Sequence, residues 1–337
     1  MMKKAILIIT CIALLASCSK EVVDKMFSFT QPANFPVATY HFNTNEITKA
    51  KFELGRKLFY EPRLSRDNTV SCGTCHIQSA GFTHHGHDVS HGIDDRLGSR
   101  NSPPIMNLAW RTSFFWDGGV FDLDLQPVAP IINPVEMDET MDNVLAKLRA
   151  HPTYPSLFEQ AFGTKDINEE RFLKSLSQFM VMLVSDQSKY DQVKRHEGAT
   201  FTASEQAGYE LFLQHCNTCH REPLFTDESF RNNGIGIGPN NDEGRYLVTL
   251  NPADRYKFKV PSLRNLSYTA PYMHDGRFLN LQGVLEHYAN GVKEVAGLDP
   301  LLEHGIPLTP AAQQQLIDFL KTLNDESFIK NPLFAEQ

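Results

Sequence analysis

Cys-x-x-Cys-His occurs twice in this chain, as Cys72 to His76 (CGTCH) and Cys216 to His220 (CNTCH), and uses four of its six cysteines. Two thiols followed at once by an imidazole form the attachment signal of c-type haem. Cys72 and Cys75, and likewise Cys216 and Cys219, would bond the vinyl groups, and His76 and His220 would become the proximal iron ligands. A zinc site or a redox dithiol bordering a histidine uses the same residue types. Repetition of the whole pentapeptide favours two covalently attached haems.

The elements that must hold these motifs repeat as well. Gly55-x-x-x-Phe59 and Gly208-x-x-x-Phe212 lie just upstream of the two motifs, each setting a small and an aromatic residue on one helix face, as close helix crossing requires. Thr202-x-x-Glu205 reads as a capping box at the start of the second of these helices. Downstream, Phe172, Leu173, Leu176, Met180 and Leu183 form one apolar stripe. Leu316, Phe319, Leu320 and Leu323, after Thr309-Pro310, form another. Both are expected to be core. Residues 86 to 104 and 231 to 245, rich in Gly, Pro and Asn, read as ordered loops enclosing the cofactors. Gly234-Ile235-Gly236-Ile237-Gly238 lacks the strand-to-helix context of a nucleotide fingerprint. The expected fold is mainly α with few strands: two tandem cytochrome c-like domains, each with one covalent haem, joined by a linker from about Gln192 to Phe201.

Residues 1–17 carry Lys3 and Lys4, an apolar run from Ala5 to Ala16, and an end in Leu15-Ala16-Ser17-Cys18 that resembles a bacterial lipoprotein box. An ordinary secretory signal is the alternative; the run is too short for a transmembrane helix. Cleavage would remove Cys11, make Cys18 the lipidated first residue and place the protein outside the cytoplasm, where c-type haem is attached. Ser19 after that cysteine favours the outer membrane. Losing Lys3 and Lys4 takes the formal charge from -8 to -10. That argues against nucleic acid as a partner and suits a basic electron donor.

A family resemblance rests on Leu58-Phe59, Arg63-Leu64-Ser65, the first haem motif, Arg100-Asn101-Ser102-Pro103, Phe115-Trp116-Asp117-Gly118 and Asn133-Pro134-Val135-Glu136-Met137. It continues through Val260-Pro261-Ser262-Leu263-Arg264-Asn265 and Ala270-Pro271-Tyr272-Met273-His274-Asp275-Gly276. In this order, over roughly residues 44 to 325, the chain resembles bacterial di-haem cytochrome c peroxidases. With the signal at 1–17 and a tether at 18–43 before it, the resemblance makes 44–195 a peroxidatic domain and 196–337 an electron-transfer domain with a tail.

It further implies that hydrogen peroxide reacts at the His76 haem, with Glu136 as acid/base and Gln126 positioning peroxide. Trp116 matches a tryptophan that bridges the two haems, and Asn101, Thr269 and Pro271 fall on ligand positions of a calcium ion, the last two through backbone carbonyls. Electrons would come from a small cytochrome c or copper protein, and homodimers are common in the family. Two positions depart from the reductively activated members. Where those carry a histidine that caps the first iron, this chain has Ile93, with His91 two residues before it and His84, His85 and His87 nearby. The expectation is an open first haem, with capping by His91 as the alternative.

Where the same members carry a methionine ligand to the second iron, this chain has Tyr288. A tyrosine there resembles the subgroup that matures the tryptophan-derived quinone of methylamine dehydrogenase. A phenolate favours the higher oxidation states of iron, whereas Met raises the reduction potential; Met273 and His274 are the alternative ligands. The leading expectation is therefore a lipid-anchored, periplasm-facing peroxidase. Two others stand beside it: an enzyme that uses peroxide to oxidise residues of a partner protein, and a di-haem electron carrier without peroxide chemistry.

Overall fold

Two helix crossings organise the molecule, and glycine sets both. A computed structural model describes residues 27–238 and 240–337; the signal segment with Lys3, Lys4, Cys11, Cys18 and Ser19 lies outside the described residues. Helix α1 (Lys49–Phe59) starts where Thr48 accepts a hydrogen bond from the Lys51 amide, and ends with Arg56 and Lys57 facing its carbonyl terminus. It packs on α2 (Glu169–Val181), capped by Asn168 and acidic in its first turn. In the second half, α3 (Ala203–His215) carries the Thr202/Glu205 capping box, and α4 (Pro310–Lys321) starts with Thr309 as cap and Pro310 in its first turn.

A Cβ added at Gly55 would stand 1.9 Å from the carbonyl oxygen of Ser175, and one at Gly208 would stand 1.9 Å from that of Gln315. Only glycine lets the two helix pairs approach this closely. The aromatic four residues on completes each crossing: Phe59 meets Phe179 at 5.0 Å between ring centroids, and Phe212 meets Phe319 at 5.1 Å. Gly208→Ala is expected to lose about 1–3 kcal/mol of stability through overpacking, despite alanine's better helix propensity. Denaturant unfolding of the haem-loaded protein checks this; an unchanged midpoint would mean that α3 and α4 separate at no cost.

Each pair anchors its own core. The first gathers Phe52, Phe59, Phe82, Leu176 and Phe179, and also Phe328 and Phe334 from the end of the chain. The second gathers Tyr190, Phe212, Phe225, Leu316 and Phe319. Both apolar stripes read from the sequence are buried, Leu183 and Leu323 included. Strands are minimal among the described residues: β1 (Phe230–Arg231) pairs antiparallel with β2 (Phe258–Lys259).

Between the cores sits a fully buried ion pair. Arg264 donates from Nη1 and Nη2 to the two oxygens of Asp191, 2.8 Å each, and from Nε and Nη2 to the Pro223 carbonyl. Asn34 donates to the same carboxylate. The pair ties the N-terminal segment, the crossover before α3 and the Val260–Asn265 stretch to one point. Removing one partner of such a pair strands a charge and costs about 3–5 kcal/mol.

Candidate active site

Each Cys-x-x-Cys-His motif opens onto a cavity. The first motif forms a single turn, Cys72–Cys75, capped by Ser71. His76 follows, its Nδ1 donating to the Phe82 carbonyl at 2.8 Å. The carbonyl can only accept, so the proton sits on Nδ1 and Nε2 is left free for a metal. His220 is held the same way, with Nδ1 against the carbonyls of Pro261 at 3.0 Å and Phe225 at 3.2 Å. Burial lowers the His76 pKa to about 4, so its imidazole is neutral, as a ligand must be. Burial pushes the Cys72 and Cys216 thiols up to about 12 and Cys75 to about 11. Thiols facing an apolar cavity, beside an imidazole with one free nitrogen, fit covalent haem at both positions.

The first cavity, about 530 Å³, is lined by Cys75, His76, Trp116, Gln126, Glu136 and Lys259 among others. Gln126 and Glu136 flank the short helix Val128–Ile132 and the turn after it, which brings both into the His76 cavity. Asn133 donates to Glu136 Oε1 at 2.9 Å and so fixes the carboxyl. Burial raises the Glu136 pKa above the ordinary carboxylate range; the Asn133 bond opposes this in part. A carboxyl so tuned holds a proton more readily than an exposed one and can both accept and return it.

Among the described residues, His76 is the only histidine lining this cavity. Ile93 is buried, and its amide donates to the Glu136 carbonyl at 2.8 Å. His91 turns away, its Nδ1 3.2 Å from Asp95 and its ring against His87. His84 stacks on His87 in the same cluster.

The second cavity, about 210 Å³, is lined by Cys216, Cys219, His220, Met273, His274 and Tyr288 among others. Tyr288 is presented by an irregular element: the α-helix Leu281–Glu286 widens into a π turn over His287–Gly291. Burial pushes its phenol up to about 12. The two other candidates have contacts of their own. Asn233 donates to Met273 Sδ at 3.5 Å, and the His274 ring stacks on Phe258 with centroids 3.6 Å apart.

Trp116 lines both cavities. Its Nε1 donates to the Asn101 carbonyl at 2.8 Å and its ring lies 6.5 Å from that of His274. Asn101, Thr269 and Pro271 share one wall of the second cavity. The Asn101 amide nitrogen donates to the carbonyls of His87 and Asp88. Its Oδ1 and the carbonyls of Thr269 and Pro271 receive no hydrogen bond among the described residues. Oxygen donors without protons to accept fit a hard cation.

Sequence reasoning missed Lys259, which also lines both cavities. Burial lowers its pKa to about 8 even beside Glu228, and its Nζ donates to the Ser113 carbonyl. The only signal was its place immediately before the Val260-Pro261-Ser262 motif. Asn133 was seen only as part of its motif and Asn233 was missed; both are second partners of residues that were assigned roles.

Residues 49–199 match the family described as di-haem cytochrome c peroxidase. The chain is 36% identical over 307 residues to the methylamine utilization protein MauG of Methylorubrum extorquens, spanning 88% of this chain and 84% of that one. It is 30% identical over 288 residues to the cytochrome c551 peroxidase of Pseudomonas aeruginosa, spanning 82% and 80%. A solved MauG-like protein associated with microbial copper homeostasis superposes with a TM-score of 0.84 at 31% identity, over 91% of this chain and 98% of that one.

Proposed function

The chain belongs to the di-haem cytochrome c peroxidase family, and from that premise we propose how its residues divide the work of an oxidoreductase acting on hydrogen peroxide. The two c-type haems, when bound, supply iron that can store and pass oxidising equivalents. Everything else falls to side chains. Gln126 orients peroxide in the His76 cavity. Glu136 takes the proton from the inner peroxide oxygen and returns it to the outer one, so that the O–O bond breaks with water as leaving group. Two electrons and two further protons complete the conversion of peroxide to two waters.

Trp116, touching both cavities, would relay electrons between them, and Tyr288 would hold the second iron through its phenolate oxygen. Asn101, Thr269 and Pro271 would hold a calcium ion, which would stiffen the wall they share. The electron donor is a small cytochrome c or copper protein, and the protein faces the periplasm, anchored through Cys18. One observation carries this reading: Glu136 and Gln126 share a cavity with His76 in which, among the described residues, no second histidine stands. Tyr288 in the other cavity favours a second reading, in which the stored equivalents oxidise side chains of a partner protein.

The test is one equivalent of hydrogen peroxide added to the fully oxidised protein in a stopped-flow spectrometer. A prompt change in the Soret and near-infrared bands, without prior reduction, is expected. An inert spectrum would show that the first iron is capped and would overturn the open-site assignment.

A further inference from the structure

Away from both haem cavities, three metal-binding side chains converge on a point. His41 Nε2 lies 3.7 Å from Asp122 Oδ1 and 3.6 Å from Asp124 Oδ2, and the three donor atoms fall within 4.8 Å of one another. These separations are too long for hydrogen bonds. The two distances from the imidazole lie close to the edge of a coordination tetrahedron, about 3.3–3.6 Å for bonds of roughly 2.0–2.2 Å. From this geometry we infer that His41, Asp122 and Asp124 form a three-ligand site for a divalent transition cation of the zinc type, with a fourth position left to water.

The surroundings are built for it. Asp124 is only 9% exposed, yet among the described residues no lysine or arginine pairs with it or with Asp122; His41 is their single basic neighbour. Two carboxylates thus face one imidazole with no permanent cation to balance them. Neighbouring groups contact all three side chains. The Tyr40 hydroxyl donates to Asp124 Oδ1 at 2.7 Å and is held in turn by Asn45 Nδ2 at 2.8 Å. Oδ2 receives no hydrogen bond among the described residues and is directed at His41. The Asp124 amide donates to Asp122 Oδ1 at 2.9 Å, and the Tyr40 ring stacks on the His41 imidazole at 4.7 Å. Metal ligands depend on such outer partners for direction and basicity. One imidazole and two carboxylates suit zinc better than calcium or magnesium, which take oxygen alone.

The site joins two stretches far apart in sequence. His41 belongs to the segment that precedes α1, and Asp122 and Asp124 belong to the loop that runs into Gln126. A bound cation would pin that loop, which leads to Gln126 in the first cavity, to the N-terminal segment. The site itself does not depend on the peroxidase reading.

The experiment is zinc chloride titrated calorimetrically into haem-loaded protein, in calcium-containing buffer, with bound zinc counted by elemental analysis. One zinc per chain at micromolar affinity or tighter is expected. His41→Ala and Asp122→Asn, whose parent side chains are each 41% exposed, should keep the wild-type Soret band and helical spectrum while weakening zinc at least about 100-fold. Absence of stoichiometric zinc in the wild type overturns the inference. Undiminished binding by both variants overturns it as well, and sends the metal to the His84, His87 and His91 cluster.

Discussion

Glu136→Gln is expected to lower kcat/KM for peroxide by roughly 100- to 10,000-fold, the range that a positioned proton carrier supplies. Glutamine keeps the size and hydrogen-bonding shape of the side chain, so Asn133 retains a partner and the haem content and helical spectrum should not change. The amide cannot take up a proton and release it again. The pH profile adds an independent reading. Peroxide must give its proton to the carboxylate form, and burial raises the Glu136 pKa. Wild-type activity should therefore fall as pH drops through a transition above the ordinary carboxylate range, and that acid limb should vanish in the variant. Turnover within twofold of wild type would remove Glu136 from the mechanism and leave a plain electron carrier as the better description.

The second large effect concerns the second haem. Tyr288→Met replaces an anionic oxygen donor by a neutral thioether, which stabilises the reduced iron relative to the oxidised. The reduction potential of that haem should rise by on the order of 100 mV or more, inside the roughly 0.8 V that axial ligands command. Potentiometric titration followed in the Soret region measures it. With Met in place, the ferrous state should become accessible to mild reductants, and the site should turn from a holder of oxidising equivalents into an ordinary electron reservoir. An unmoved potential would return the ligand role to Met273 or His274.

What could be read from the sequence was whatever is encoded within a few residues. The two haem motifs, the Thr202/Glu205 cap and the glycine-aromatic pairs each declare themselves over five positions or fewer, and the crossings they imply are present at Gly55 and Gly208. The approach of Gln126 and Glu136 to His76 came only through family register, because no local pattern says that a turn after Ile132 folds back over a cysteine motif more than fifty residues earlier. Contacts between distant segments left no trace at all. The Arg264–Asp191 pair joins residues 73 positions apart. Phe328 and Phe334 cross from the end of the chain into the first core, and Lys259 becomes notable only once two cavities stand on either side of it.

The π turn at His287–Gly291 has a consequence of another kind. An α-helix advances by about 100° per residue, so a widened turn that accommodates one more residue changes which side chains face inward from there on. The direction in which Tyr288 points is thus a matter of counting as well as of chemistry. Losing a single residue from this turn would swing the phenol away from the cavity without altering it, and gaining one elsewhere in the helix could bring a neighbour round in its place. The donor offered to the second cavity is thus fixed by the register of the turn as well as by the residue that stands at position 288.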